Sequence, residues 1–195
     1  MKVYSMQYIV YRVVILIFVL AISSDFAMAK KMYPININKG EMPNDVCSNC
    51  EVTLSEENCG EGAELSLKLA FSKPGWAGEY NPKRSNWIGY KWIKFNAFNP
   101  TDKSVKMAIG IKDEQSIGNS EARKTWIVIP FELKPGMNDV KLSLEGIKAQ
   151  DGRTADLKRV KQWFFSYKFF PENSWEEKGG DEFTVFISNL RLESE

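Results

Sequence analysis

Six tryptophans stand in a chain that has no histidine. That combination bounds the available chemistry: without imidazole there is no Ser-His or Cys-His nucleophile, and the commonest protein ligand for zinc and haem is missing. What remains is non-covalent recognition. Trp92, Lys94 and Asn96 fall on alternate positions of YKWIKFNAF, so one face of a strand would present a ring, a cation and an amide together. Such a set suits a ligand with a flat C–H face and a rim of hydroxyls, which is what a sugar offers. Trp126, opposite in phase to Ile127 and Ile129, is expected to join that surface. Gln162 and Tyr167 would complete it, although the two should point to opposite faces unless a bulge intervenes. A second arrangement puts rings at loop tips: Trp76, Tyr80 and Trp87 occupy or flank a Gly-rich stretch, and Trp175 lies in PENSWEEKGGDE. The competing role for each ring is core filling or a lid over the core.

The carboxylates offer no second chemistry. A glycosidase needs two of them across a cleft, and nothing in the spacing of Asp113, Glu114, Glu132, Glu145 and Asp156 pairs them, so no enzyme is expected. Glu176, Glu177, Asp181 and Glu182 are expected to form a solvated acidic loop rather than hold calcium. Three cysteines, Cys47, Cys50 and Cys59, share CSNCEVTLSEENCG. Haem attachment would require histidine where Glu51 stands, zinc lacks a fourth ligand, and a redox pair would precede a helix in a βαβ pattern. One disulfide and one free thiol is the expected state, with the partners left open by spacing.

That expectation rests on export. Lys2 and Arg12 precede the apolar run VVILIFVLAI (13 to 22), and Ala27-Met28-Ala29 has the small-x-small form of a signal-peptidase site. Ten strongly apolar residues fall short of a bilayer span. Residues 1–29 are therefore expected to be a cleaved signal peptide, the alternative being an uncleaved anchor, and the mature chain periplasmic, cell-surface or extracellular with no membrane insertion. Loss of Lys2, Arg12 and Asp25 leaves 24 basic and 24 acidic side chains, a balance with no general pull toward nucleic acid.

The elements that must position these residues alternate with period two. Residues 30–49 are polar and punctuated by proline and glycine, and are expected to be a leader before one domain over 50–195. In ELSLKLAF, Leu65, Leu67, Leu69 and Phe71 share a face. KPGWAGEYNPKRSN (73 to 86) is expected to be a long loop. Ile93, Phe95 and Ala97 then face inward, as do Val105, Met107, Ile109 and Ile111. The opposite face of that second strand carries Lys106, Ala108, Gly110 and Lys112, small enough at its centre to leave open space for an extended ligand. TWIVIPFEL alternates through Thr125, Ile127, Ile129, Phe131 and Leu133, and its Pro130 predicts an edge strand or a bulge. LKPGMND turns into VKLSL, and VKQWFFSYKFF, apolar on both faces, is expected to be central. FTVFISNLRL closes the chain. Without a helix of any length, these strands predict an all-β, antiparallel sandwich.

With the strands in order, NWIGYKWIKFNAFNP, the hairpin LKPGMNDVKLSL, the segment DGRTADLKRVKQWFF and the terminal FTVFISNLRLE resemble the galactose-binding-like jelly-roll modules of bacterial carbohydrate-active enzymes, over residues 64 to 193. The resemblance implies a sandwich of eight or nine strands, carbohydrate or polysaccharide binding on a sheet face or at loop tips, no catalysis, and often one structural calcium. This chain departs from the pattern at Ser188, where an aspartate commonly precedes the asparagine of the last strand, and at Asn96, where another is frequent. Loss of both acids counts against the calcium. The alternative to a glycan-binding module is a cell-envelope module that contacts protein.

Overall fold

Alternation carries the fold. The computed structural model describes residues 31–35, 46–117, 122–168 and 182–195, and the body considered is Met32–Glu195. The signal segment, most of the leader, and Trp175 with its acidic neighbours lie outside the described residues. Nine strands are present: β1 (Met32–Pro34), β2 (Val46–Ser55), β3 (Ser66–Tyr80), β4 (Trp92–Asn99), β5 (Val105–Asp113), β6 (Ile127–Leu133), β7 (Gly136–Ser143), β8 (Val160–Tyr167) and β9 (Phe183–Glu193). Short 3-10 turns at Glu114–Ser116 and Ala122–Thr125 link β5 to β6.

All pairings are antiparallel, in the order β6-β5-β8-β3-β9-β4-β7, with β2 on β3 and β1 on β9. β3 belongs to two layers. Its first half, Leu67–Phe71, pairs with β9, and its second half, Gly75–Tyr80, pairs with β8. Between them Ser72, Lys73 and Pro74 have no partner in β8 or β9, which is where a residue without an N–H is tolerated. β2 follows the bend by a bulge between Ser48 and Cys50, with Asn49 at φ +53° and its Nδ2 donating to the Pro74 carbonyl at 2.9 Å. The expected loop over 73–86 is thus strand as far as Tyr80: Pro74 and Gly75 mark a corner in a continuous strand instead of its end.

The two layers, β6-β5-β8-β3 and β3-β9-β4-β7, close over one core. Leu67, Leu69, Phe71, Ile93, Phe95, Val185 and Ile187 come from one, and Met107, Ile109, Ile111, Ile127, Trp163 and Phe165 from the other, all buried. Phe95 of β4 meets Phe131 of β6 at 5.4 Å and Phe165 of β8 at 5.3 Å, edge to face in both cases, so the rings interlock across the layers. β8 is central and β6 lies at an edge, as their compositions predict. The architecture is an all-β antiparallel sandwich of nine strands.

The expected disulfide is not formed: Cys47, Cys50 and Cys59 are free thiols. Cys47 is exposed and Cys50 packs against the core, on either side of the Ser48/Cys50 bulge. Cys59 lies past the far end of β2, roughly 16 Å of strand from Cys50 at 3.3 Å per residue, beyond the reach of an S–S bond. Burial, with Cys47 alongside, pushes the Cys50 thiol up to about 12, which leaves it inert as a nucleophile.

Candidate functional site

Register decides which candidate residues can meet. On the outer face of the β6-β5-β8-β3 layer, Phe164 of β8 lies between Gly110 of β5 and Gly78 of β3. A Cβ on either glycine would overlap Phe164, and at Gly110 it would strike the ring itself, so the ring lies down on the β5 backbone. Trp126 meets that ring edge to face at 5.7 Å, and Trp76 and Val128 pack against the pair. The next register row places Tyr80, Gln162 and Lys112 side by side on β3, β8 and β5, with Trp126 beyond them. The row on the other side holds Trp76, Ser166 and Ala108. Rings therefore frame a floor of glycine and alanine, with Tyr80 44% exposed at one rim and Trp76 half-buried at another.

Polar groups on this face are left open. Ser166 is fully buried and its Oγ has no hydrogen-bond partner among the described residues. Gln162 is 4% exposed, and its amide likewise makes no hydrogen bond there. Buried polar groups normally find a partner, so two that lack one beside these rings set this face apart.

Trp92, Lys94 and Asn96 lie on the outer face of the other layer, so Trp126 and Gln162 do not share a surface with them. On that second face several of the polar groups are already partnered. Lys94 and Arg191 share the buried Glu193, at 2.5 and 2.6 Å. Lys141 Nζ sits 3.9 Å from the centre of the Trp92 ring, and Asn96 accepts from Asn189 at 2.8 Å. Tyr167 belongs to neither face. No bulge separates it from Gln162, so it points into the core, 4% exposed, with its ring 5.5 Å from Phe71 and 5.0 Å from Phe183. Trp87 and Trp163 are core as well, their indole N–H groups donating to the Arg84 carbonyl and to Glu79.

What holds Trp126 in place is a buried ion pair that spacing alone does not reveal. Arg153 clasps Asp113 with both terminal nitrogens, at 2.5 and 2.8 Å, and donates onward to Ser116 Oγ and to the Thr125 carbonyl. Asp113 also accepts from Ser116 and from the Asp156 N–H. Burial pushes the Asp113 carboxyl up, but the hydrogen bonds from Arg153, Asp156 and Ser116 outweigh it and hold the carboxyl below its ordinary value; the bond to Asp113 in turn raises Arg153. The end of β5, both 3-10 turns and the 147–156 loop meet here, one residue before Trp126, whose own carbonyl accepts from the Gln150 N–H. The remaining acids named from sequence are matched mainly to cations: Glu114 to Arg159 and Lys161, Glu145 to Lys91, Asp156 to Arg159.

Solved structures with this architecture are recognisable. A family 11 carbohydrate-binding module from Clostridium thermocellum, in complex with a β-1,3-1,4-mixed-linked tetrasaccharide, superposes with a TM-score of 0.55 at 10% identity, over 84% of this chain and 94% of that one. The domain has the jelly-roll fold of that module. A family 30 carbohydrate-binding module matches this jelly roll at 0.53 and 12%, over 85% and 88% of the two chains. An exo-β-agarase matches at 0.59 and 14%, where this chain spans 83% of its own length but only 24% of the agarase. No protein-family model matches the sequence, and no curated protein does.

The jelly-roll resemblance implies a calcium, and the positions it would use do come together, but their chemistry does not fit. Asn189 Nδ2 donates to the Glu61 carbonyl at 3.0 Å and to Asn96 Oδ1 at 2.8 Å, and Gly60 N–H donates to Ser188 Oγ at 2.8 Å. An amide donor thus sits where those oxygens converge and ties the β2–β3 turn to β4 and β9. Calcium wants six to eight oxygens, carboxylates among them, and no cluster of three His, Cys, Asp or Glu exists among the described residues. EDTA and added calcium are both expected to leave the thermal midpoint unchanged. Asn189→Asp, which turns a carboxylate onto two acceptor oxygens, is expected to lose roughly 1–3 kcal/mol in EDTA and to regain it with calcium, read by calorimetry.

Proposed function

We propose that the chain is an exported, non-catalytic module that binds a polysaccharide on the outer face of the β6-β5-β8-β3 layer. The observation that carries this reading is the union on one face of framing rings, a glycine and alanine floor, and two polar side chains, Gln162 and Ser166, with no hydrogen-bond partner among the described residues. A sugar ring fits that combination: its C–H face packs on Trp76 and Tyr80, and its hydroxyls satisfy the open amide and hydroxyl. The glycan-bound family 11 module of like fold supports the same reading, and the candidate signal peptide, residues 1–29, accords with it. The opposite face, with Trp92, has Lys94 and Arg191 paired to Glu193 and serves as the internal control.

Affinity electrophoresis through gels containing soluble polysaccharides, with pull-down on insoluble ones, tests this. Trp76→Ala and Tyr80→Ala are each expected to weaken retention by roughly tenfold, a loss typical of a stacking aromatic at a binding surface, while Trp92→Ala leaves it unchanged. Retention lost with Trp92→Ala alone would move the site to the other layer. A chain that ignores every polysaccharide yet crosslinks to an envelope protein would replace the reading with the protein-contact alternative.

A further inference from the structure

The proposed face contains a lysine that, among the described residues, meets rings and no carboxylate. Lys112 stands on β5 opposite Gln162, with its Nζ 4.0 Å from the centre of the Trp126 ring and 5.6 Å from that of Phe164. No carboxylate meets it among the described residues. The two acids that follow it in sequence are both committed elsewhere, Asp113 to Arg153 on the far side of the strand and Glu114 to Arg159 and Lys161. On the same face Glu132 lies across from Lys106, six residues along β5, or roughly 20 Å of strand from Lys112.

A half-buried ammonium with only ring faces for company is a costly arrangement, since ring quadrupoles replace part of its hydration but no opposite charge does. Burial holds it below its ordinary lysine value. An arriving anion would supply the missing charge, and it would arrive between Trp126 and Gln162, in the row that ends at Tyr80.

We propose that this face selects an anionic glycan, and that Lys112 pairs with the carboxylate or sulfate of one sugar unit while its ring stacks on the neighbouring aromatics. The inference rests on the glycan-binding reading above and specifies the ligand. Two sources supply such an anion, uronates and sulfate esters, and both would meet the same ammonium. Across the row the ligand has room: Trp126 to Tyr80 spans three strand spacings, roughly 14 Å, so the charged unit lies inside a longer oligosaccharide with neutral contacts on one side.

The test uses the chain and its Lys112→Met and Lys112→Arg variants, each checked by circular dichroism and thermal midpoint. The probes are polygalacturonate and alginate for uronates, κ-carrageenan for sulfate esters, and agarose and mixed-linkage β-glucan as neutral controls. The expected result is tighter retention on one anionic class, lost about tenfold or more in Lys112→Met, as when a charge-assisted hydrogen bond is removed. Lys112→Arg should keep that preference, and raising salt should weaken the native chain but not Lys112→Met. Equal retention of a neutral polysaccharide by native chain and Lys112→Met, with no anionic preference, would overturn the inference and leave glycan binding standing. Failure to retain any of the five probes would overturn both.

Discussion

Replacing Arg153 with methionine is expected to cost roughly 3–5 kcal/mol, the loss measured when one partner of a buried ion pair is removed and the other stays charged. Asp113 has no exposed side-chain surface, so water cannot take the place of the guanidinium. For a chain of this size that loss lowers the thermal midpoint by roughly 6–20 °C. The pH dependence carries the mechanism. Asp113 is held below its ordinary value in the native state, so it binds fewer protons folded than unfolded near that value. Its stabilisation is therefore complete above the unfolded pKa, about 4, and is lost as pH falls through the lower folded value. In Arg153→Met only the Ser116 and Asp156 hydrogen bonds still oppose burial, so the carboxyl is held down less and the variant loses less stability on acidification. The gap between native and variant midpoints should close as pH drops below about 4. A gap independent of pH would mean that the loss comes from packing of the arginine stem rather than from the charge. Glycan retention should fall in the variant even at temperatures where it is folded, because the Thr125 carbonyl that Arg153 holds precedes Trp126 directly.

How far the sequence carried the fold follows from which signals are local. Period-two runs such as Ile93, Phe95 and Ala97 state which side chains face the core, because alternation is a property of one strand. Which layer a strand joins is set by pairing with distant strands. So Trp92 on β4 and Trp126 just before β6, both out of phase with core residues, were not separable in advance, although Trp126 meets Phe164 on the opposite face of the sandwich. The same limit explains β3: Lys73-Pro74-Gly75 carries loop chemistry, and only its partners, β9 before and β8 after, identify a corner. The small residues Ala108 and Gly110 did point to the open face, since they leave space whatever lies beside them. Lys112, on that same run, gave no sign of its isolation, because isolation depends on Arg153 and Arg159, roughly forty residues or more away, taking Asp113 and Glu114. For the cysteines, composition favoured a bridge, but the length of β2 sets Cys59 apart from the other two, and all three are free thiols.

Two neighbouring phenylalanines separate stability from binding. Phe164 and Phe165 are adjacent on β8, 2% and 0% exposed, and each meets other rings edge to face. Alanine at either position should cost roughly 3–5 kcal/mol, within the 5–15 kcal/mol that holds a domain folded. Their consequences for a ligand should differ. Phe165 points between the layers against Phe95 and Trp163, so once the variant is folded its outer face is intact and retention on polysaccharide should match the native chain. Phe164 supports Trp126 and lies across the Gly110 backbone, so its loss takes away the surface against which Trp126 and Trp76 are set. Retention should drop roughly 30-fold or more, the scale of a central interface residue worth about 2 kcal/mol. Both variants are compared by affinity electrophoresis at low temperature, with circular dichroism confirming strand content. Equal retention by the two would show that the ligand does not use this layer. A drop confined to Phe164→Ala, at matched stability, can come only from the face on which that ring lies, since Phe165 shares its strand, its burial and its size.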